Sequence, residues 1–100
     1  MTSISVEDLK KRLDSGEKIN LIDVREPAEY QEYNLGGELI PLGKIASMML
    51  EDLEDRKNDE LIIHCKMGGR SMQACQILEM AGFTNVVNVT GGAMAYRQLG

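Results

Sequence analysis

Leu61-Ile62-Ile63-His64-Cys65-Lys66-Met67-Gly68-Gly69-Arg70-Ser71 is the stretch from which the fold is read. Leu61 to His64 opens on a short apolar run, the pattern of a strand buried on both faces. Two glycines follow in a turn-like stretch. From Ser71 a helix is expected, with Ala74, Cys75, Leu78 and Ala81 on one face and Gly82 as its stop. A buried strand that passes through a tight glycine turn directly into a helix is half of a crossover between parallel strands. Val86-Val87-Asn88-Val89 supplies the next strand, and Thr90-Gly91-Gly92 leads into a short terminal helix containing Met94, Tyr96 and Leu99.

The same alternation extends toward the N-terminus. Ile19 to Val24 reads as a strand, and Pro27 stands where a helix begins, followed by Ala28, Glu29 and Tyr30. Asn34 to Gly37 is a turn, and Glu38-Leu39-Ile40 is a short strand stopped by Pro41. Lys44 to Leu50 is expected to be helical, with Ile45, Met48 and Met49 as its apolar face. Glu51 to Asp59 is expected to be a helix end and a loop whose acidic residues face solvent. Met1 to Asn20 is charged and helical in pattern: Ser5 is placed to cap a helix carrying Val6, Leu9 and Leu13, and Gly16 ends it. Together these elements predict one α/β domain over residues 1–100, with a mostly parallel central sheet and helices on both faces. Ligands of such sheets bind beyond the carboxyl ends of the strands. The search for a site therefore narrows to Asp23–Glu26, Cys65–Arg70 and Thr90–Gly92.

Composition bounds the function. The chain has 100 residues, 43% hydrophobic and 27% charged, with a net charge of −5. This is globular composition without room for two independent cores. An acidic chain is a poor ligand for nucleic acid or anionic membranes, so neither partner is expected. No apolar run reaches the length of a membrane span, and the N-terminus has no apolar signal-peptide core. Two cysteines and a single histidine, His64, exclude a structural zinc site. Few cysteines and no signal peptide lead to the expectation of a reducing, cytoplasmic compartment.

Chemistry concentrates at Cys65. It sits at a strand end, before a glycine loop and a helix start. Gly68 and Gly69 let backbone N–H groups turn toward the loop centre, the helix N-terminus adds its positive dipole end, and Lys66 and Arg70 add formal charge. All of these favour thiolate over thiol. Cys75, on the apolar face of the following helix, is read as core. Strand alternation turns the His64 side chain away from that of Cys65. With no other histidine, the chemistry must suit a thiolate that needs no general base.

Three motifs then resemble one family. Leu21-Ile22-Asp23-Val24-Arg25-Glu26-Pro27-Ala28-Glu29-Tyr30 resembles the N-terminal signature of rhodanese domains, and Ile63 to Ser71 their active-site loop. Ala81-Gly82-Phe83-Thr84-Asn85-Val86 and Val89-Thr90-Gly91-Gly92 resemble their closing segment, so the match runs in order over essentially the whole chain. The stretch Asn34 to Pro41 is similar to that of rhodanese modules attached to E1-like adenylyltransferases. Two departures stand out: Tyr96 where Trp is common in the family, and Lys66 where Arg is frequent. Rhodanese folds also serve cell-cycle phosphatases, whose loop places five residues between cysteine and arginine. Here Cys65 and Arg70 enclose four, the version suited to a persulfide.

The resemblance implies a sulfurtransferase without metal or organic cofactor. Cys65 would take sulfur from a small donor such as thiosulfate and pass it to a thiol, cyanide or a partner protein. Lys66, Met67, Gly68, Gly69, Arg70 and Ser71 would hold the substrate, with Met67 shaping access from the loop tip. Asp23 and Arg25 are expected to support the loops, Arg25 through an ion pair with Glu29 or a hydrogen bond between loops; the other reading of Arg25 is that it helps to hold an anionic donor. Arg70 has two candidate partners, substrate oxygens or Asp23. The alternatives are a non-catalytic rhodanese module for protein binding or sensing, and a phosphatase or arsenate reductase, which the loop length opposes.

Overall fold

The computed structural model describes residues 1–100. Its strands are β1 (Thr2–Ser5), β2 (Asn20–Asp23), β3 (Glu38–Leu39), β4 (Leu61–His64) and β5 (Val86–Thr90). Its α-helices are α1 (Val6–Asp14), α2 (Pro27–Glu32), α3 (Leu42–Ala46), α4 (Gly69–Met80) and α5 (Gly92–Arg97), with a 3₁₀ turn over Glu51–Arg56. All five strands are parallel, in the order β1-β5-β4-β2-β3. The fold is the α/β class expected, and its sheet is wholly parallel.

Alternation along the buried strands divides the core between the two faces. Leu61 and Ile63 of β4 point with Ile22 and Val86 into a layer of 14 buried residues. That layer is closed by Ile45 of α3, Leu53 of the 3₁₀ turn, and Ala74, Cys75 and Leu78 of α4. Ile62 faces the other way, into a cluster of six with Leu21, Val87, Val89 and Val6 and Leu9 of α1. Ala95 and Tyr96 of α5 pack against its edge. Helices therefore lie on both faces, and β4 and β5 are shielded from water along nearly their whole length.

Three elements differ from the sequence reading. Thr2–Ser5 is a strand, not part of a helix, and it pairs with Val87 to Thr90 at the sheet edge. Only Ile4 in it is apolar enough to signal burial. Ser5 then turns the chain, its side chain accepting the Asp8 N–H at 3.1 Å as the cap of α1. The helix expected over Lys44–Leu50 is instead Leu42–Ala46, because the chain leaves helical geometry at Met48, which has φ 59°. Met48 and Met49 are exposed, so the apolar face comes from Ile45, with Leu50 and Leu53 completing the layer. Finally, α4 begins at Gly69, two residues before Ser71, so Ser71 lies within the first helical turn.

Parallel order brings the carboxyl ends of β2, β4 and β5 side by side. The turn after β5 is fitted closely to the turn after β4. Ala93 N–H donates to Cys65 O at 2.8 Å and Met94 N–H to Lys66 O at 3.0 Å. Gly92 makes this approach possible. It has φ +62°, and a Cβ there would stand 2.5 Å from Lys66 O and 2.6 Å from Cys65 O. Gly92→Ala should therefore lower unfolding free energy by about 2 kcal/mol or more in urea titration. Gly43→Ala, in α3 with nothing within 4 Å of the added Cβ, should leave stability unchanged or raise it by up to about 1 kcal/mol. Equal stability of the two variants would refute this account of the close approach.

Candidate functional site

Cys65 directly follows β4 and is 1% exposed. The chain then turns through Lys66 and Met67 to Gly68, whose φ of +119° belongs to the left-handed region that favours glycine. That turn aims the Gly68 N–H at Cys65 Sγ, 3.1 Å away. The first turn of α4 brings Ser71 Oγ to 3.4 Å from the same sulfur. Burial pushes the thiol pKa up. The Ser71 hydroxyl and the backbone N–H groups of Ser71, Gly68 and Met67 outweigh it and hold Cys65 below the ordinary thiol range. Cys75, one helix face away and also buried, lacks such donors. Burial, with Glu79 adding to it, pushes its pKa up to about 12. Both cysteines are free thiols.

Ser71 is itself fully buried, and its Oγ contacts two further groups. It lies 3.1 Å from Gly68 O and 2.5 Å from Oδ1 of Asn88, which is 3% exposed on β5. Asn88 was not singled out from sequence. The available signal was one amide in the apolar run Val86–Val89.

The charged residues pair differently from the sequence reading. Arg25 does not meet Glu29. It precedes α2, so the four-residue spacing does not stack it over Glu29 as two helical residues would be. Instead its Nε and a terminal nitrogen bind the Asp23 carboxylate, at 3.0 and 2.8 Å, and the same terminal nitrogen donates to Tyr33 O at 2.6 Å. Asp23 is fully buried and Arg25 is 4% exposed, so the pair is an internal brace at the end of β2. Arg70 does not reach Asp23. It forms a two-pronged pair with Glu29 at 2.7 and 2.9 Å. Glu29 Oε1 also accepts the Glu26 N–H at 3.0 Å, at the start of α2. The Arg70 guanidinium holds the Glu29 carboxyl down to about 2. The pair thus ties the first turn of α2 to the first turn of α4.

Lys66 faces a cleft of about 230 Å³ lined also by Arg25, Tyr33, Met94 and Arg97. Arg97 stacks over the Tyr33 ring at 4.7 Å and was likewise not anticipated from sequence. Met67 stands 66% exposed at the loop tip. Gly69 opens α4, and the backbone N–H within hydrogen-bond distance of the sulfur is that of its neighbour Gly68. No group of three or more His, Cys, Asp or Glu side chains is placed to hold a metal ion.

With this geometry in view, the comparisons are specific. The model of the rhodanese-like domain family matches residues 5–99, and the chain belongs to that family. A sulfurtransferase of Allochromatium vinosum is 35% identical over 101 residues, covering 100% of this chain and 92% of that protein. YrkF of Bacillus subtilis, which bears the name of a sulfur carrier protein, is 40% identical over 90 residues; the match covers 89% of this chain but 47% of YrkF. The crystal structure of a rhodanese-like domain protein from Staphylococcus aureus superposes with a TM-score of 0.81 at 33% identity, over 96% of this chain and 91% of that one.

His64 sits beneath the site, fully buried. Its Nδ1 is 3.3 Å from Cys65 O, and its Nε2 lies 3.7 Å from Asp23 Oδ2 without a hydrogen-bond partner. Burial lowers its pKa from the ordinary 6.5, against the opposing pull of Asp23, so the fold favours the neutral ring. The unfolded chain binds a proton near pH 6.5 that the folded chain refuses. Stability from this group is therefore complete above that value and falls as pH drops below it. Unfolding free energy should fall as pH drops from 7 through the ordinary histidine range. His64→Asn should remove that dependence. A slope unchanged in the variant would assign it to other groups.

Proposed function

We propose that this chain is a thiosulfate-type sulfurtransferase that carries sulfane sulfur as a Cys65 persulfide. The observation that carries the reading is the convergence of the Gly68 N–H and the Ser71 hydroxyl on one sulfur at the end of a buried strand. The kinship to named sulfurtransferases supports it. Donors aimed at a single sulfur stabilise an anion there, and a thiolate is the nucleophile that sulfane transfer requires.

In the first half-reaction the Cys65 thiolate attacks the outer sulfur of thiosulfate. The donor's S–S bond breaks and sulfite leaves with the bonding pair. In the second, an acceptor thiolate, cyanide or a partner protein attacks the outer sulfur of the persulfide and restores the Cys65 thiolate. The loop from Lys66 to Ser71 supplies the cradle for these anions, and Met67 borders its entrance. Arg70 is committed to Glu29, and Arg25 to Asp23, so both act as braces for the cradle. Lys66, beside the cleft and in none of the ion pairs, supplies the attraction for an anionic donor. Two free thiols and persulfide chemistry suit a reducing, cytoplasmic setting.

Incubation with thiosulfate should add one sulfur atom to the peptide containing Cys65, read by mass spectrometry, and cyanide should remove it. Cys65→Ser should abolish both the adduct and thiocyanate formation, and Cys75→Ser should retain most of the activity. Lys66→Ala should raise KM for thiosulfate by roughly 3-fold at low salt, with less effect as salt screens the exposed ammonium. A folded protein that takes up no sulfur from thiosulfate or from an organic persulfide would favour a non-catalytic binding module instead. Aryl-phosphate hydrolysis that disappears in Cys65→Ser would overturn the loop-size argument.

A further inference from the structure

Ser71 has one hydroxyl proton and three acceptors within reach: Cys65 Sγ at 3.4 Å, Gly68 O at 3.1 Å and Asn88 Oδ1 at 2.5 Å. It can serve only one of them with a well-directed bond at a time. Ser71 is fully buried and Asn88 is 3% exposed, so water is a poor substitute for any member of the set. Whether the proton points toward sulfur or away from it decides whether Ser71 is a donor to the nucleophile or an acceptor from it.

We propose that Asn88 is a positioning residue for Cys65, setting the direction of the Ser71 hydroxyl proton through a side-chain amide that accepts in one state and donates in the other. With Cys65 as a thiol, the arrangement is a continuous chain: Sγ–H donates to Ser71 Oγ, and Ser71 O–H donates to Asn88 Oδ1. When the thiol proton leaves to solvent, the sulfur becomes an acceptor and the chain reverses. Ser71 O–H turns to Sγ, and its oxygen then needs a donor in place of the lost S–H. Rotation of the Asn88 amide by half a turn exchanges Oδ1 for Nδ2 and supplies that donor. An amide is suited to this because it carries both kinds of group on one planar end; a carboxylate or an aliphatic side chain cannot make the exchange.

The direction of each effect follows. Without the amide, the thiol form still has Gly68 O to receive the Ser71 proton, so it loses little. The thiolate form is left with a buried Ser71 oxygen that accepts from no one, and it is disfavoured. Asn88→Ala should therefore make Cys65 a weaker acid. Asn88→Asp should do so more strongly, because a carboxylate captures the Ser71 proton and repels the thiolate. Ser71→Ala removes the donor altogether.

The inference rests on Cys65 being the reacting sulfur, and its test separates the two. Iodoacetamide alkylation rate at the Cys65 peptide is followed against pH in the parent, Ser71→Ala, Asn88→Ala and the double variant. Ser71→Ala should move the midpoint up by about one pH unit. Asn88→Ala should move it up by about half a unit in the parent and not further in the Ser71→Ala background, since the amide acts through the hydroxyl. Asn88→Asp, close to isosteric, is the second probe: it should give a larger upward shift, with a substantial part lost when Ser71 is absent. No shift in either Asn88 variant, or the same shift with and without Ser71, would overturn the proposal. A separate measurement of sulfur uptake from thiosulfate reports on the persulfide reading. Its failure with the coupled alkylation shifts intact would reject the sulfur donor and leave the positioning role standing.

Discussion

A thiolate enclosed by protein persists only where hydrogen-bond donors replace the water it has lost. Donors of that kind meet at Cys65, and the turn that carries them depends on the elements around it. The sulfur lies just past the end of the central strand β4, against the larger core layer, where desolvation drives a thiol toward the neutral form, as it does, with help from Glu79, for Cys75. What distinguishes Cys65 is the turn that follows it. The left-handed backbone at Gly68 points an N–H inward, and the immediate start of α4 brings Ser71 to the same point.

A turn of this kind has to be held from several sides, and neighbouring elements do so. From the first turn of α5, the N–H groups of Ala93 and Met94 bond the carbonyls of Cys65 and Lys66 and so hold the backbone of the turn from outside. From α2, Glu29 grips Arg70 in two-pronged fashion and fixes the first turn of α4. From the end of β2, the buried Asp23–Arg25 pair stiffens the wall of the cleft and reaches Tyr33. A buried ion pair is a weak contributor to net stability, because desolvation offsets attraction. Its value here lies in the single geometry it enforces beside the loop.

The local charges divide into paired and unpaired groups. Arg25 and Arg70 each satisfy a carboxylate, so their charge is largely neutralised in place. Lys66, Arg97 and Glu32 are the charges lining the cleft that enter no ion pair, a local excess of one positive charge in a protein whose net charge is −5.

Local sequence patterns were enough for the α/β class, the buried strand Leu61–His64, and the place of Cys65 before a glycine turn and a helix. These follow from local causes: apolar runs, glycine at turns, and the four-residue interval between Cys65 and Arg70. It did not disclose β1, because an edge strand with one apolar residue is held by pairing with β5 rather than by its own pattern. Met48 and Met49 matched a helical face in spacing, yet a left-handed residue at 48 turned the chain before they could use it. The charge partners follow from the arrangement of elements in space. Glu29 lies four residues from Arg25 and 41 from Arg70, yet it binds Arg70, because parallel pairing sets the start of α2 beside the start of α4. Asn88 reaches Ser71 for the same reason: β4 and β5 run side by side, and alternation along β5 turns one amide toward the helix that follows β4. Spacing along a chain predicts contacts within one element, whereas contacts between elements depend on the order of strands in the sheet.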